Sequence, residues 1–112
     1  MKVDALDLMV EQAAEALLNG DPVQRRRLVG ALARSYPRQK ALMVSLALSG
    51  AAAQIEDTFR DGSMEEAAAR GYKLAAVVAA DVLAIEALGR EPAMAGDLLL
   101  FWRRVDPRFL GG

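Results

Sequence analysis

Apolar residues recur along the whole chain at intervals of three and four, and no stretch alternates with period two, so the pattern predicts helices throughout. In the first segment Leu6, Met9, Val10, Ala13 and Leu17 line one stripe, Asp4 stands where an N-cap belongs and Gly20 where a helix stops, which places a helix over about 4–19. Asp21-Pro22 is a second start signal. The carboxylate can accept from orphan amides, and proline fits the first turn, where an N–H has no partner to lose. The helix that follows, about 22–36, turns Val23, Leu28, Ala31, Leu32 and Ser35 inward.

Pro37 disfavours helical geometry at Tyr36 and can open the next helix, about 38–60. That helix has two apolar faces, Val44, Leu48, Ile55 and Phe59 on one and Leu42, Leu46, Ser49 and Ala53 on the other. A helix apolar nearly all round is buried, so this one is expected at the centre. Asp61-Gly62 ends it, and Ser63-Met64-Glu65-Glu66 has the spacing of a capping box for a helix over about 64–88, with Leu74, Ala75, Val78, Val82 and Ile85 inward and Gly89 as its stop. Pro92 opens a last helix, about 92–105, which carries Leu98 to Trp102. Asp106-Pro107 ends it before a tail holding Phe109 and Leu110.

The short link between the third and fourth helices makes them antiparallel neighbours. The expected fold is therefore all-α: residues 1–112 form a single-domain bundle of four to five helices, with the helix at about 38–60 lying antiparallel to that at about 64–88. No linker, repeat or low-complexity stretch divides the 112 residues.

Charge adds local structure to this picture. The net charge is −1, yet residues 22–55 carry six bases (Arg25, Arg26, Arg27, Arg34, Arg38 and Lys40) and no acid, between two acidic segments. The Arg25-Arg26-Arg27 run, with Arg34, is a candidate interaction surface. A basic patch of this kind can answer the acidic faces of neighbouring helices, dock an acidic protein partner or neutralise phosphates. The next helix is apolar rather than rich in Arg, Asn and Gln, which argues against a nucleic-acid recognition helix.

Alanine supplies much of the 54% hydrophobic content. The nominal outer side of the fourth helix, Lys73, Ala76, Ala80, Ala84 and Ala87, is mostly alanine rather than charge, and Ala76, Ala80, Ala84 and Ala87 form a candidate homodimer seam. Small side chains let backbones approach closely. Ser45, Ser49, Gly50 and Ala53 suit a tight internal hairpin for the same reason. The Leu98 to Trp102 cluster is too wide for one amphipathic face. Phe101 and Trp102, beside Arg103 and Arg104, therefore either cap the end of the bundle or anchor a partner, since aromatic residues and arginines are enriched at binding hot spots.

Asp81 and Glu86 interrupt the apolar arc of the fourth helix and are expected to be buried polar residues. A buried carboxylate pairs or takes up a proton, so an arginine of the second or fifth helix is the expected partner, and a polar switch or ligand site is the alternative. The absence of cysteine and histidine removes disulfides, His-based triads and the usual zinc, haem and iron–sulfur ligation. Asp57 to Gly62 puts Phe and Arg where an EF-hand needs oxygen ligands. No catalytic, cofactor or metal residue is assigned. A small helical enzyme working with Arg, Lys and Glu would need spacings that are not recognisable here.

The N-terminus turns acidic before any apolar core, which argues against a secretory signal, and the longest uncharged run, Ala41 to Ile55, is short of a membrane span. The expectation is a bacterial, cytoplasmic, non-enzymatic protein, homodimeric and acting on a protein partner in a regulatory or adaptor role. The alternatives are a nucleic-acid-binding regulator that uses Arg25 to Arg27, and a small-ligand site at Asp81 and Glu86.

Overall fold

The computed structural model describes residues 4–19 and 21–104. Five helices, α1 (Ala5–Asn19), α2 (Pro22–Ser35), α3 (Ala41–Thr58), α4 (Glu65–Ala87) and α5 (Ala95–Arg104), pack into an all-α bundle. Helix α3 lies against each of the other four and antiparallel to α4, its most extensive neighbour. No helix among the described residues is long and apolar enough to cross a membrane. Gly20 and the segment from Val105 onward, with Asp106, Pro107, Phe109 and Leu110, lie outside the described residues.

Two N-caps follow the sequence directly. An Asp4 carboxylate oxygen accepts from the Asp7 amide at 2.9 Å, and Asp21 accepts from the Val23 amide at 3.0 Å with Pro22 in the first turn. Each satisfies a donor that the helix itself leaves free. The core draws Met9, Ala13 and Leu17 from α1, Val44, Leu48 and Ile55 from α3, Ala75, Val78, Val82 and Ile85 from α4, and Leu98 and Trp102 from α5.

Five local expectations are corrected. Helix α3 starts at Ala41, not near Pro37, and α5 starts at Ala95, not at Pro92. Residues 37–41 and 93–96 instead run past each other: the Ala41 amide donates to the Ala93 carbonyl, the Ala95 amide to that of Gln39 and the Gly96 amide to that of Pro37, at 2.8 to 3.0 Å. The Pro37, Gln39 and Ala93 carbonyls, committed to this cross-link, are not left to accept the bonds of an earlier helical turn. The Ser63 side chain does not cap α4. Asp61 takes the Ser63 amide at 3.0 Å, and Gly62 turns the chain at φ +83°, a conformation that glycine adopts without strain. That hydrogen bond holds the Asp61 carboxyl below the usual carboxylate range.

Helix α2 is also rotated from expectation. Leu28, Val29, Gly30, Leu32 and Ala33 are buried, while Val23 and Ser35 are exposed. Finally, α3 is not buried all round. Leu42, Leu46 and Ala53 are at the surface, so only one of its two apolar faces enters the core.

Candidate functional site

The spacing between α3 and α4 is set by small side chains. Ser45 is buried and donates its hydroxyl to the Ala75 carbonyl at 2.8 Å. A Cβ on Gly71 would come within 3.0 Å of Ala52 Cβ and 3.2 Å of the Leu48 carbonyl oxygen, so only glycine permits this approach. Gly50 belongs to a different contact, facing Val10 of α1. The close hairpin is thus built by Ser45, Ala52 and Gly71, with Ser49 and Ala53 turned outward.

Closely apposed helices form a shared outer face. Tyr72 of α4 donates its hydroxyl to a Glu56 carboxylate oxygen of α3 at 2.7 Å, which proves that residues at their angular positions look out on the same side. The bond keeps the phenol protonated, so its pKa is raised. Stepping along each helix from this bridge by threes and fours reaches Ala53, Leu46 and Leu42 on α3, and Ala76, Ala80, Leu83 and Ala87 on α4. Leu42 is 50% exposed, Leu46 47% and Leu83 70%. Of the proposed seam, Ala76, Ala80 and Ala87 are exposed and Ala84 is half-buried at its margin.

No charge interrupts α4 on this side between Lys73 and its end, because both carboxylates of that stretch serve the interior. Asp81 is buried and accepts from the Trp102 indole N–H at 3.0 Å. Glu86, half-buried, accepts from the Ala93 amide at 3.2 Å. The expected arginine partner is therefore corrected for both: neither carboxylate forms an ion pair among the described residues. They tie α4 to the segment 93–102 instead.

Trp102 itself is fully buried and belongs to the core. Phe101 is half-buried and lines a cleft of about 460 Å³ with Ile85, Leu88, Leu100 and Arg104, beside the Arg90–Asp97 ion pair.

The three consecutive arginines are divided between two clefts. Arg25 turns toward the core face of α2 and donates to the Leu17 carbonyl at 2.9 Å and to Glu66 at 3.4 Å. Arg26 is exposed and lines a cleft with Arg25 and Arg70 of α4. Arg27 lines a separate cleft on the α1 side, with Glu15 and Asp21. Arg34 is exposed in the last turn of α2, where a cation complements the helix dipole. The run is thus spread around α2, with Arg25 and Arg26 on one cleft and Arg27 on another. Arg70 was the residue that sequence reasoning missed, because it lies 44 positions from Arg26 and only the tertiary fold brings the two to one cleft.

Comparison of the chain with models of known protein families, with characterised proteins and with solved structures finds no match, so the functional reading rests on its own geometry.

Proposed function

We propose that the chain is a non-enzymatic helical interaction protein that pairs with a second copy of itself through the outer face of α3 and α4, in a regulatory or adaptor role toward another protein. The observation that carries the reading is Leu83, 70% exposed in a strip otherwise made of alanine. One projecting side chain among small ones is self-complementary. Around a two-fold axis, Leu83 of each copy enters the shallow ground beside Ala76, Ala80 and Ala87 of the other.

The size of the face agrees with a second copy. Leu42, Leu46, Leu83 and Tyr72 with the flanking alanines offer on the order of 600 Å² per copy, somewhat below the roughly 800 Å² per partner of a standard interface. A face of this size fits a transient pairing rather than an obligate dimer. Ordering alanines also costs little side-chain entropy.

The rival readings have less support. A nucleic-acid regulator would use Arg25 to Arg27 together, but Arg27 lines a separate cleft with Glu15 and Asp21. A ligand at Asp81 and Glu86 would compete for carboxylates that each already hold a donor of the segment 93–102.

Light scattering on eluted protein across a concentration series tests the proposal. The mass should rise from 12.0 kDa toward twice that value over the micromolar range. Leu83→Glu should hold it at the monomer value with an unchanged helical spectrum. A wild-type monomer at several hundred micromolar removes the dimer.

A further inference from the structure

The cleft between the start of α2 and the first turns of α4 has a composition that the rest of the fold does not explain. It encloses about 370 Å³ and is lined by Pro22, Arg25, Arg26 and Arg70. Three guanidinium groups from two helices share it. Their like charges repel, and the Arg25–Glu66 contact at 3.4 Å links the two helices beside them.

Among the described residues the counter-charge is thin. Glu66 meets only Arg25, at 3.4 Å, and its side chain is 82% exposed. Asp21 is committed to the Val23 amide. Arg26 and Arg70 have no acceptor within hydrogen-bonding distance among the described residues.

Arg25 is held as a fixed wall of this cleft. Its Nη2 donates to the Leu17 carbonyl at 2.9 Å, so the guanidinium plane is anchored before any ligand arrives. Its Nε is buried without a hydrogen-bond partner, a cost that a structural arginine normally avoids. An anchored guanidinium flanked by two free ones is pre-organised for an acceptor with several oxygens, because each planar fork can present paired N–H groups. Glu66 offsets one of the three positive charges, which leaves the cleft suited to a doubly charged ligand. The volume lies near the lower end of small-molecule sites.

We propose that this cleft binds a small phosphate-bearing anion, with Arg25, Arg26 and Arg70 as its ligands. The site is independent of the α3–α4 face and stands whether or not the chain dimerises.

Pyrophosphate and inorganic phosphate, titrated into the uniformly ¹⁵N-labelled full chain at 150 mM salt, test it. Saturable binding of one equivalent is expected, with amide shifts confined to residues 21–26 and 66–73. Arg70→Gln and Arg26→Gln should each weaken pyrophosphate binding by about tenfold, and Arg34→Gln, a basic residue at the far end of α2, should leave it unchanged. Shifts spread over every basic residue, an equal loss in Arg34→Gln, or no saturation at 10 mM of either probe would overturn the site. So would retention of a single-stranded oligonucleotide alone, with a steep salt dependence and no pyrophosphate binding, because that behaviour belongs to an extended phosphate track.

Discussion

Gly71 offers the sharpest quantitative test of the close α3–α4 approach. Replacing it with alanine removes a poor helix former from the interior of α4, and intrinsic propensity alone predicts a gain of about 1 kcal/mol. The structure predicts the opposite sign. The new Cβ would stand 3.0 Å from both Ala52 Cβ and Leu17 Cδ1 and 3.2 Å from the Leu48 carbonyl oxygen. Carbon atoms prefer separations of about 3.5–4.0 Å, so the contact is at least half an ångström too short. Leu17 Cδ1 ends a side chain that can rotate away. Ala52 Cβ and the Leu48 carbonyl belong to the framework of α3 and can retreat only if the helices separate.

Overpacking of this kind costs about 1–3 kcal/mol, and the need for the backbone to shift puts this contact at about 2–3 kcal/mol, so against the propensity gain of about 1 kcal/mol it leaves a net loss of about 1–2 kcal/mol. For a chain of this length that lowers the melting temperature by roughly 4–10 °C. Gly50→Ala is the internal comparison. Its nearest neighbour is Val10 Cγ2 at 3.2 Å, a side chain near the surface of α1, so propensity and crowding should nearly cancel. Circular dichroism melts and urea titrations of both variants check the pair. A Gly71→Ala protein as stable as the parent, or more so, would refute the close approach.

Three further outcomes follow from particular hydrogen bonds. Asp81→Ala removes an acceptor of the buried Trp102 N–H and should cost about 1–3 kcal/mol, the range for taking away one partner of a buried hydrogen bond, with a shift in the emission of the single tryptophan; an unperturbed melt and spectrum would contradict the bond. Asp21→Ala should destabilise by about 1 kcal/mol through loss of the α2 cap, readable as a lower urea midpoint with an unchanged slope, and no change in midpoint would count against the cap. Asp61 has its pKa lowered in the fold, so the unfolded chain takes up its proton first as pH falls. The stability it contributes is therefore present above the unfolded value and is lost as pH falls through the folded one. A carboxyl carbon titration should place its midpoint below that of a free aspartate, and a midpoint at or above it would refute the turn geometry.

The elements whose signals are local are the ones that could be read from the chain. Asp4 and Asp21 cap the helices they precede because a cap needs only an acceptor and an amide two or three residues on. Asp81 stood out because a carboxylate in an apolar arc must find a donor, although that donor is an indole rather than an arginine. The starts of α3 and α5 were not legible, since they depend on residues 37–41 meeting 93–96 across more than 50 positions. Ser63 had the spacing of a cap, but Asp61 took its amide first.

The rotation of α2 has a similar cause. Gly30 and Ala33 are buried because neighbouring helices come close, and such small residues weigh little in an apolar pattern beside the exposed Val23. Alanine also concealed the candidate site. On α4 it lines both the core, as Ala67, Ala68 and Ala75, and the surface, as Ala76, Ala80 and Ala87, and only packing separates the two sets.

The pairing of two copies through α3 and α4 is most directly tested by placing a cysteine in a chain that has none. A disulfide needs Cα atoms within about 7 Å, so a position near the two-fold axis links to its own counterpart and a remote one does not. Ala76→Cys, Ala80→Cys and Leu83→Cys variants, oxidised at low micromolar concentration, should include at least one that forms a covalent dimer rapidly, while Arg26→Cys on α2 stays monomeric. Equal cross-linking at Arg26→Cys, or none at all three α4 positions, would contradict the account.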